Sequence, residues 1–436
     1  MQADTQVLEA EAVEADSPML VAGELRQGST GLSDPVINPS TGEVFAHVPH
    51  GTQDDLNEAV ESAKEAYKTW SKTSYAERAA CLRKYGELLA TNADKLAEAL
   101  SKEQGKPLAM AKMEVLGTAA DCELVATEGD LEPEVTKEDD DARWELQYMP
   151  RGVIGGIAPW NFPISTAGNK IHPAVITGNT IVLKPSPYTP LATAMMSEFA
   201  AEAFPAGVVN IVTGSDDLGQ MIVEHPDVAH ITFTGSARTG QKIMATAAMH
   251  GLKKVTLELG GNDAAVVLPD VNPAETAPQL FQGAMFNTGQ VCCAIKRVFV
   301  HESQYDEMVD ALAAEAEKAK AVTGDGMEAG TVFGPINNKM QFERVAGLVD
   351  DARAEGGRIV AGGKQFGNEN GYFYEPTIIA DVQEGNRIVD EEQFGPVIPV
   401  IKYTDVDDAM DRANATEYGL GGSVWTNDLV EGEKRM

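Results

Sequence analysis

Cysteine is scarce in this chain. Cys81, Cys122, Cys292 and Cys293 are its four, and no Cys-x-x-Cys occurs. That absence excludes zinc ribbons and thioredoxin-type redox pairs. Four thiols in 436 residues make no disulfide scaffold, which points to a reducing compartment and an expected cytoplasmic location. Basic residues are also few, 34 against 67 acidic ones, giving a formal net charge of −33. Such a field repels phosphate backbones and anionic lipids, so neither nucleic acid nor a membrane is an expected partner. The acidity fits a salt-adapted cytoplasm and an ordinary acidic enzyme alike. No apolar run approaches the ~18 residues of a membrane span. Met1 to Ser17 is acidic and carries no Lys or Arg, unlike a secretory or organellar leader. The seven histidines lack metal-ligand spacing, so no metal is expected. Two nucleotide signatures are missing too, the Gly-x-Gly-x-x-Gly fingerprint and a Walker-type Gly-Lys-Ser/Thr loop.

What is present is an α/β pattern. Asp54 to Trp70 reads as an amphipathic helix, with Leu56, Val60, Ala63 and Tyr67 at helical spacing and Thr52 with Asp55 as a capping box. Tyr75 to Glu103 reads as two further helices ending at Gly105-Lys106-Pro107. Cys81 falls in this helical pattern and reads as core filler. Strands are expected at Thr180–Leu183, Val208–Val212, His230–Phe233, Ala264–Leu268, Lys296–Val300 and Val397–Ile401. Helices are expected at Ala192–Phe204, Arg238–His250, Tyr305–Ala321 and Phe342–Glu355. Strand–helix alternation at this spacing predicts largely parallel sheets in two or three domains. An acidic stretch, Glu128 to Arg143, interrupts the pattern. The alternating Trp144, Leu146 and Tyr148 that follow predict a projecting hairpin, either a solvated loop or a partner-facing strand.

Cys292 and Glu258 form the sharpest chemical pair. A thiol attacks carbonyl carbon, and a carboxylate activates the water that releases the product. Pro159-Trp160-Asn161-Phe162-Pro163 holds one amide between two prolines, either as a turn brace or as an oxyanion donor. Lys184 ends an apolar strand, where α/β sheets bind nucleotides, though a solvated lysine has the same signature. The strand–turn–helix at Phe233-Thr234-Gly235-Ser236 offers backbone N–H groups to a pyrophosphate. Glu392, ahead of Phe394-Gly395-Pro396, is placed to hold a ribose diol or to sit on a solvated loop.

Taken in order, these motifs resemble the aldehyde dehydrogenase superfamily. The resemblance runs from Ile37-Asn38-Pro39 to the last residue. It is carried by Glu103-Gln104-Gly105-Lys106-Pro107, Pro159-Trp160-Asn161-Phe162-Pro163, Leu183-Lys184-Pro185-Ser186, Phe233-Thr234-Gly235-Ser236, Leu257-Glu258-Leu259-Gly260-Gly261-Asn262, Gly289-Gln290-Val291-Cys292 and Glu391-Glu392-Gln393-Phe394-Gly395-Pro396. It implies a modified Rossmann NAD(P)-binding domain over 1–127 and 148–258, a bridging oligomerisation hairpin over 128–147, and a catalytic α/β domain over 259–436. Cys292 is then the nucleophile, Glu258 the general base, and Asn161 with the Cys292 N–H the oxyanion site. Lys170 matches a lysine near the active site. Ala158, Pro159, Trp160, Lys184, Ser186, Pro187, Gly214, Gly235, Ser236, Gly240, Leu259, Glu392 and Phe394 would bind the cofactor, NAD or NADP. Ile164, Met285 and Val291 would line an apolar aldehyde funnel, and Cys293 is a packing neighbour. The expected partners are a small aldehyde and further copies of the chain, as a homodimer or homotetramer.

Two departures from the family pattern bear on function. Pro187 stands where NAD-preferring relatives often carry Glu, which leaves NADP use open. Relatives also continue beyond Met436 through a segment that closes the substrate site. Two alternatives follow: a CoA-acylating enzyme, disfavoured by the presence of Glu258, and a non-catalytic dinucleotide-binding protein.

Overall fold

Capping chemistry places the first helices. The computed structural model describes residues 9–435. Thr52 and Asp55 form the reciprocal box at the start of helix Gln53–Trp70, and Leu56, Val60 and Ala63 face inward. Helices Tyr75–Thr91 and Ala93–Gln104 follow. The second of these stops at Gly105, whose φ of 95° is left-handed and where a Cβ would lie 2.8 Å from Pro335, so glycine is required there. A fourth helix, Leu108–Thr127, packs against these two.

The first sheet has seven strands, in spatial order Lys254–Glu258, Val228–Thr234, Val153–Ile157, Thr180–Lys184, Val209–Ile211, Met19–Val21 and Glu24–Arg26. The first five run parallel, and the last two are antiparallel additions. Alternate side chains feed two cores. Ile181 and Leu183 join helices Pro163–Ile176 and Leu191–Ala203 on one face. Val182 joins helices Gln53–Trp70, Asp216–Glu224 and Ala237–Met249 on the other. Each such fully buried aliphatic residue stabilises the fold by about 1.5–3 kcal/mol.

The second sheet has six strands, in order Arg358–Ala361, Thr377–Val382, Val397–Tyr403, Ile295–His301, Asp263–Val267 and Gly422–Trp425. Only the Arg358–Ala361 edge is antiparallel. Helices Pro273–Met285 and Tyr305–Lys320 cover one face, and Lys339–Ala354 with Val406–Asn414 the other. The six expected strands are all present, shifted by at most two residues at an end. The expected hairpin is also there. Glu134–Glu138 pairs with Arg143–Leu146, every residue of both strands is exposed, and the Asp139 carboxylate accepts the N–H groups of Asp141 and Ala142 to close the turn. Among the described residues no helix is long and apolar enough to cross a membrane.

Candidate active site

Parallel strands place one set of loops at one edge of the first sheet. Ala158, Pro159 and Trp160 follow Val153–Ile157, and Lys184 ends Thr180–Lys184, with Ser186 and Pro187 just beyond. Gly214 follows Val209–Ile211, Gly235 and Ser236 follow Val228–Thr234, and Glu258 and Leu259 close Lys254–Glu258. Eleven of the seventeen predicted site positions thus sit at or just past the carboxyl ends of five parallel strands, where open α/β sheets bind ligands. Ser236 caps helix Ala237–Met249 by accepting from Thr239 N, and Gly240 packs within a methyl's reach of Leu259. Lys184 is almost fully buried, and among the described residues its ammonium donates only to the adjacent Pro185 carbonyl, at 2.9 Å. Burial brings its pKa down to about 8, and Asp216 and Asp34 pull it back up.

The second sheet meets this edge with its amino ends. Cys292 precedes Ile295–His301, Asn262 precedes Asp263–Val267, and Glu392 with Phe394 precedes Val397–Tyr403. Gly260 and Gly261 form the seam. A Cβ on Gly261 would lie 2.6 Å from the Cys292 carbonyl oxygen, and one on Gly260 would strike the Glu392 carboxylate. Only glycine lets the segment after Glu258 come this close to the Cys292 turn. The Glu258 side chain itself is exposed. Lys170 donates to Thr234 at 2.7 Å; burial brings its pKa down to about 8, and Glu258 opposes that fall.

Asn161 is tied to the Cys292 loop. Its Nδ2 donates to the Gln290 carbonyl at 3.0 Å, which leaves one amide hydrogen uncommitted. Its own carbonyl accepts from Asn287 Nδ2 at 3.1 Å and from Lys106 Nζ at 2.8 Å. Asn287 and Thr288 both adopt left-handed backbone, φ 51° and 58°, a strained path that brings the loop back toward Asn161. Cys292 is half-buried and Cys293 exposed. Burial pushes the Cys292 thiol up, Cys293 adds to that, and Lys296 opposes it. Trp160 meets Phe394 edge-to-face at 5.2 Å, joining the two loop sets.

Two contributions were not read from sequence. Lys106 and Glu114 form a buried ion pair at 2.5 Å, and Glu114 also accepts from the Ile164 and Ser165 N–H groups that open helix Pro163–Ile176. The Lys106 motif signalled importance, but its target lies 55 residues downstream. Phe162 stacks on the exposed Phe286 at 6.2 Å and gives the site an apolar wall. The expected funnel is corrected accordingly. Ile164 and Met285 are fully buried, each inside a separate core, and only Val291 is half-exposed. A pocket of about 750 Å³ lies elsewhere, lined by Arg78, Tyr148, Arg151 and Lys170 among others, with Cys292, Asn161 and Glu258 outside it.

The family model for the aldehyde dehydrogenase family matches residues 27–435. The chain belongs to the aldehyde dehydrogenase family. A mitochondrial aldehyde dehydrogenase of Leishmania tarentolae is 37% identical over 94% of this chain and 83% of its own length. The NAD+ complex of an aldehyde dehydrogenase from Bacillus cereus superposes with a TM-score of 0.92 at 36% identity, covering 96% of this chain and 86% of that one. A 3,6-anhydro-L-galactose dehydrogenase in complex with NADP gives 0.90 at 35% identity, over 95% and 88%. As an aldehyde dehydrogenase, this chain is an oxidoreductase that converts an aldehyde to its carboxylic acid. The thiol, amide and carboxylate loops converge where the two sheets meet.

Proposed function

We propose that Cys292 is the nucleophile of an NAD(P)-dependent, hydrolytic aldehyde dehydrogenase, with Asn161 as oxyanion donor and Glu258 as base. The observation that carries this reading is the junction itself: Asn161 bonded to Gln290, two residues before Cys292, with the Gly260–Gly261 seam bringing the Glu258 strand against the same turn. The cofactor fits the residues present. Lys184 is a buried cation whose only acceptor among the described residues is a neighbouring carbonyl, and a ribose hydroxyl would supply the polar partner that burial withholds. Gly235 and Ser236 would take the pyrophosphate at a helix N-terminus, and Glu392 with Phe394 would hold the nicotinamide end. When bound, the dinucleotide supplies the hydride acceptor.

The Cys292 thiolate adds to the carbonyl carbon, and the oxygen becomes an alkoxide. The uncommitted Asn161 hydrogen and the Cys292 N–H donate to it; losing one such donor costs on the order of 10²–10³ in rate. Loss of hydride from this tetrahedral adduct leaves a thioester on Cys292. Glu258 then removes a proton from water, the hydroxide attacks the thioester, and the acid leaves as the thiol is restored. The Phe162–Phe286 wall favours aldehydes with apolar tails. An absorbance assay at the reduced-cofactor band with aliphatic, aromatic, betaine-type and semialdehyde substrates tests the reading, and no turnover with any class would refute it. Glu258→Gln is expected to give a reduced-cofactor burst of about one per chain followed by turnover slowed ~10²–10⁴-fold, the usual worth of a general base. Full-rate turnover after the burst would remove Glu258 from the role.

Cofactor preference follows from charge. The carboxylates acting on Lys184 are Asp216 and Asp34, and a 2′-phosphate near them meets like charge. NAD is therefore expected to give the higher kcat/KM. Asp216→Asn is expected to raise the NADP value relative to NAD by about three- to fivefold, the size of a screened surface pair. A ratio unchanged by Asp216→Asn would place the discriminating contact elsewhere.

A further inference from the structure

Lys296 is a buried cation under the proposed nucleophile. Its side chain is 3% exposed. Nζ donates to the carbonyls of Val291 at 2.6 Å, Cys292 at 3.1 Å and Ala294 at 3.4 Å. An ammonium has three protons, and the turn supplies three carbonyls. Glu392 Oε1 lies 3.6 Å from the same nitrogen while accepting from Gly261 N at 3.2 Å. The Phe394 ring centroid is 5.7 Å away. One ammonium therefore touches the nucleophile turn, the carboxylate assigned to the ribose and, through that carboxylate, the Gly261 seam.

We propose that Lys296 is a positioning residue that couples the two halves of the site, fixing the Cys292 turn through its carbonyls while holding Glu392 in the same grip. The proposal rests on the reading of Cys292 as nucleophile and Glu392 as ribose ligand. Its consequences have opposite signs. The charge under Cys292 favours the thiolate, whereas the grip on Glu392 competes with the ribose. Loss of Lys296 thus weakens the nucleophile without weakening cofactor binding, and a merely structural lesion would impair both.

The charged and titratable groups around this ammonium are Glu392 from its loop, Asp263 from the neighbouring strand, and Cys292 with Cys293 from the turn. Facing Cys292 are Cys293 and Lys296. Burial and Cys293 push the Cys292 thiol up and Lys296 pulls it down, so removing Lys296 leaves less thiolate at any given pH. The test is the rate of iodoacetamide alkylation against pH in a Cys293→Ser background, with the label located by peptide mapping. NADH affinity is measured alongside by fluorescence titration. Lys296→Met is expected to move the midpoint up by about one pH unit, Lys296→Arg to keep it, and the NADH Kd to stay the same or tighten. Should Lys296→Met fail to fold, Glu392→Gln carries the test, because freeing Lys296 from its carboxylate is expected to lower the midpoint. A labelled Cys292 with an unmoved midpoint in the folded variant, or an NADH Kd that weakens in parallel, overturns the proposal alone. Label on a residue other than Cys292 overturns the nucleophile assignment and the proposal with it.

Discussion

Cys292→Ala is expected to lower kcat by roughly 10⁴-fold or more, the scale seen when a covalent nucleophile is removed. Without the sulfur no tetrahedral adduct forms, and the Asn161 hydrogen has no alkoxide to meet. Cofactor binding is expected to survive, since Lys184, Gly235 and Ser236 lie on the other sheet. The checks are steady-state reduction of cofactor and an independent NADH titration. A Cys292→Ala protein that still oxidised aldehydes at an appreciable rate would move the chemistry away from this loop. Cys293, the exposed neighbour, is not expected to substitute for it.

The second large effect concerns the buried pair beneath Asn161. Lys106→Met leaves Glu114 as an uncompensated buried charge, and breaking such a pair costs about 3–5 kcal/mol. The variant is expected to melt earlier than the parent in calorimetry. It also loses one of the donors that fix the Asn161 carbonyl. Adding Glu114→Gln is expected to recover much of the stability, because the neutral amide still accepts from Ile164 and Ser165. The aldehyde-dependent burst should nevertheless stay slow, since Lys106 remains absent. Burst rates restored together with stability would mean that the pair serves folding alone.

Local signals carried most of the architecture. The Thr52–Asp55 box and the Gly105 stop are chemistry between near neighbours, and both are legible in sequence. Val153–Ile157 was not. It is the middle one of the five parallel strands of the first sheet, but its Val-Ile-Gly-Gly-Ile run lacks the alternation of a strand. The structure gives the reason for the glycines. A Cβ on Gly155 would come within 2.5 Å of Ile222 from the helix above, and one on Gly156 within 3.0 Å of Leu183. Lys254–Glu258 was legible only as the setting of Glu258, because its apolar positions are few.

The site divides in the same way. Cys292, Asn161, Glu258, Lys184 and Glu392 stand in dense motifs of glycine and proline, which mark close backbone approaches in sequence. Their proposed roles come from the family resemblance, and the fold adds that their loops meet at one junction. Lys106, Glu114 and Lys296 act through space on backbone carbonyls and N–H groups; the Lys106 motif does not name its distant partner, and a lone glutamate in a helix or lysine in a strand announces none. The misplaced funnel has the same origin. Ile164 and Met285 neighbour the motifs in sequence, but helical geometry turns both into cores.

The most direct measurement of the central claim is the mass of the acyl-enzyme. Glu258→Gln protein is mixed with aldehyde and NAD+, quenched within the burst, digested and mapped. The account predicts one acyl group per chain, as a thioester on Cys292, matching the reduced cofactor formed. Reduced cofactor with no acyl group on Cys292, or with the acyl group on another residue, would contradict it.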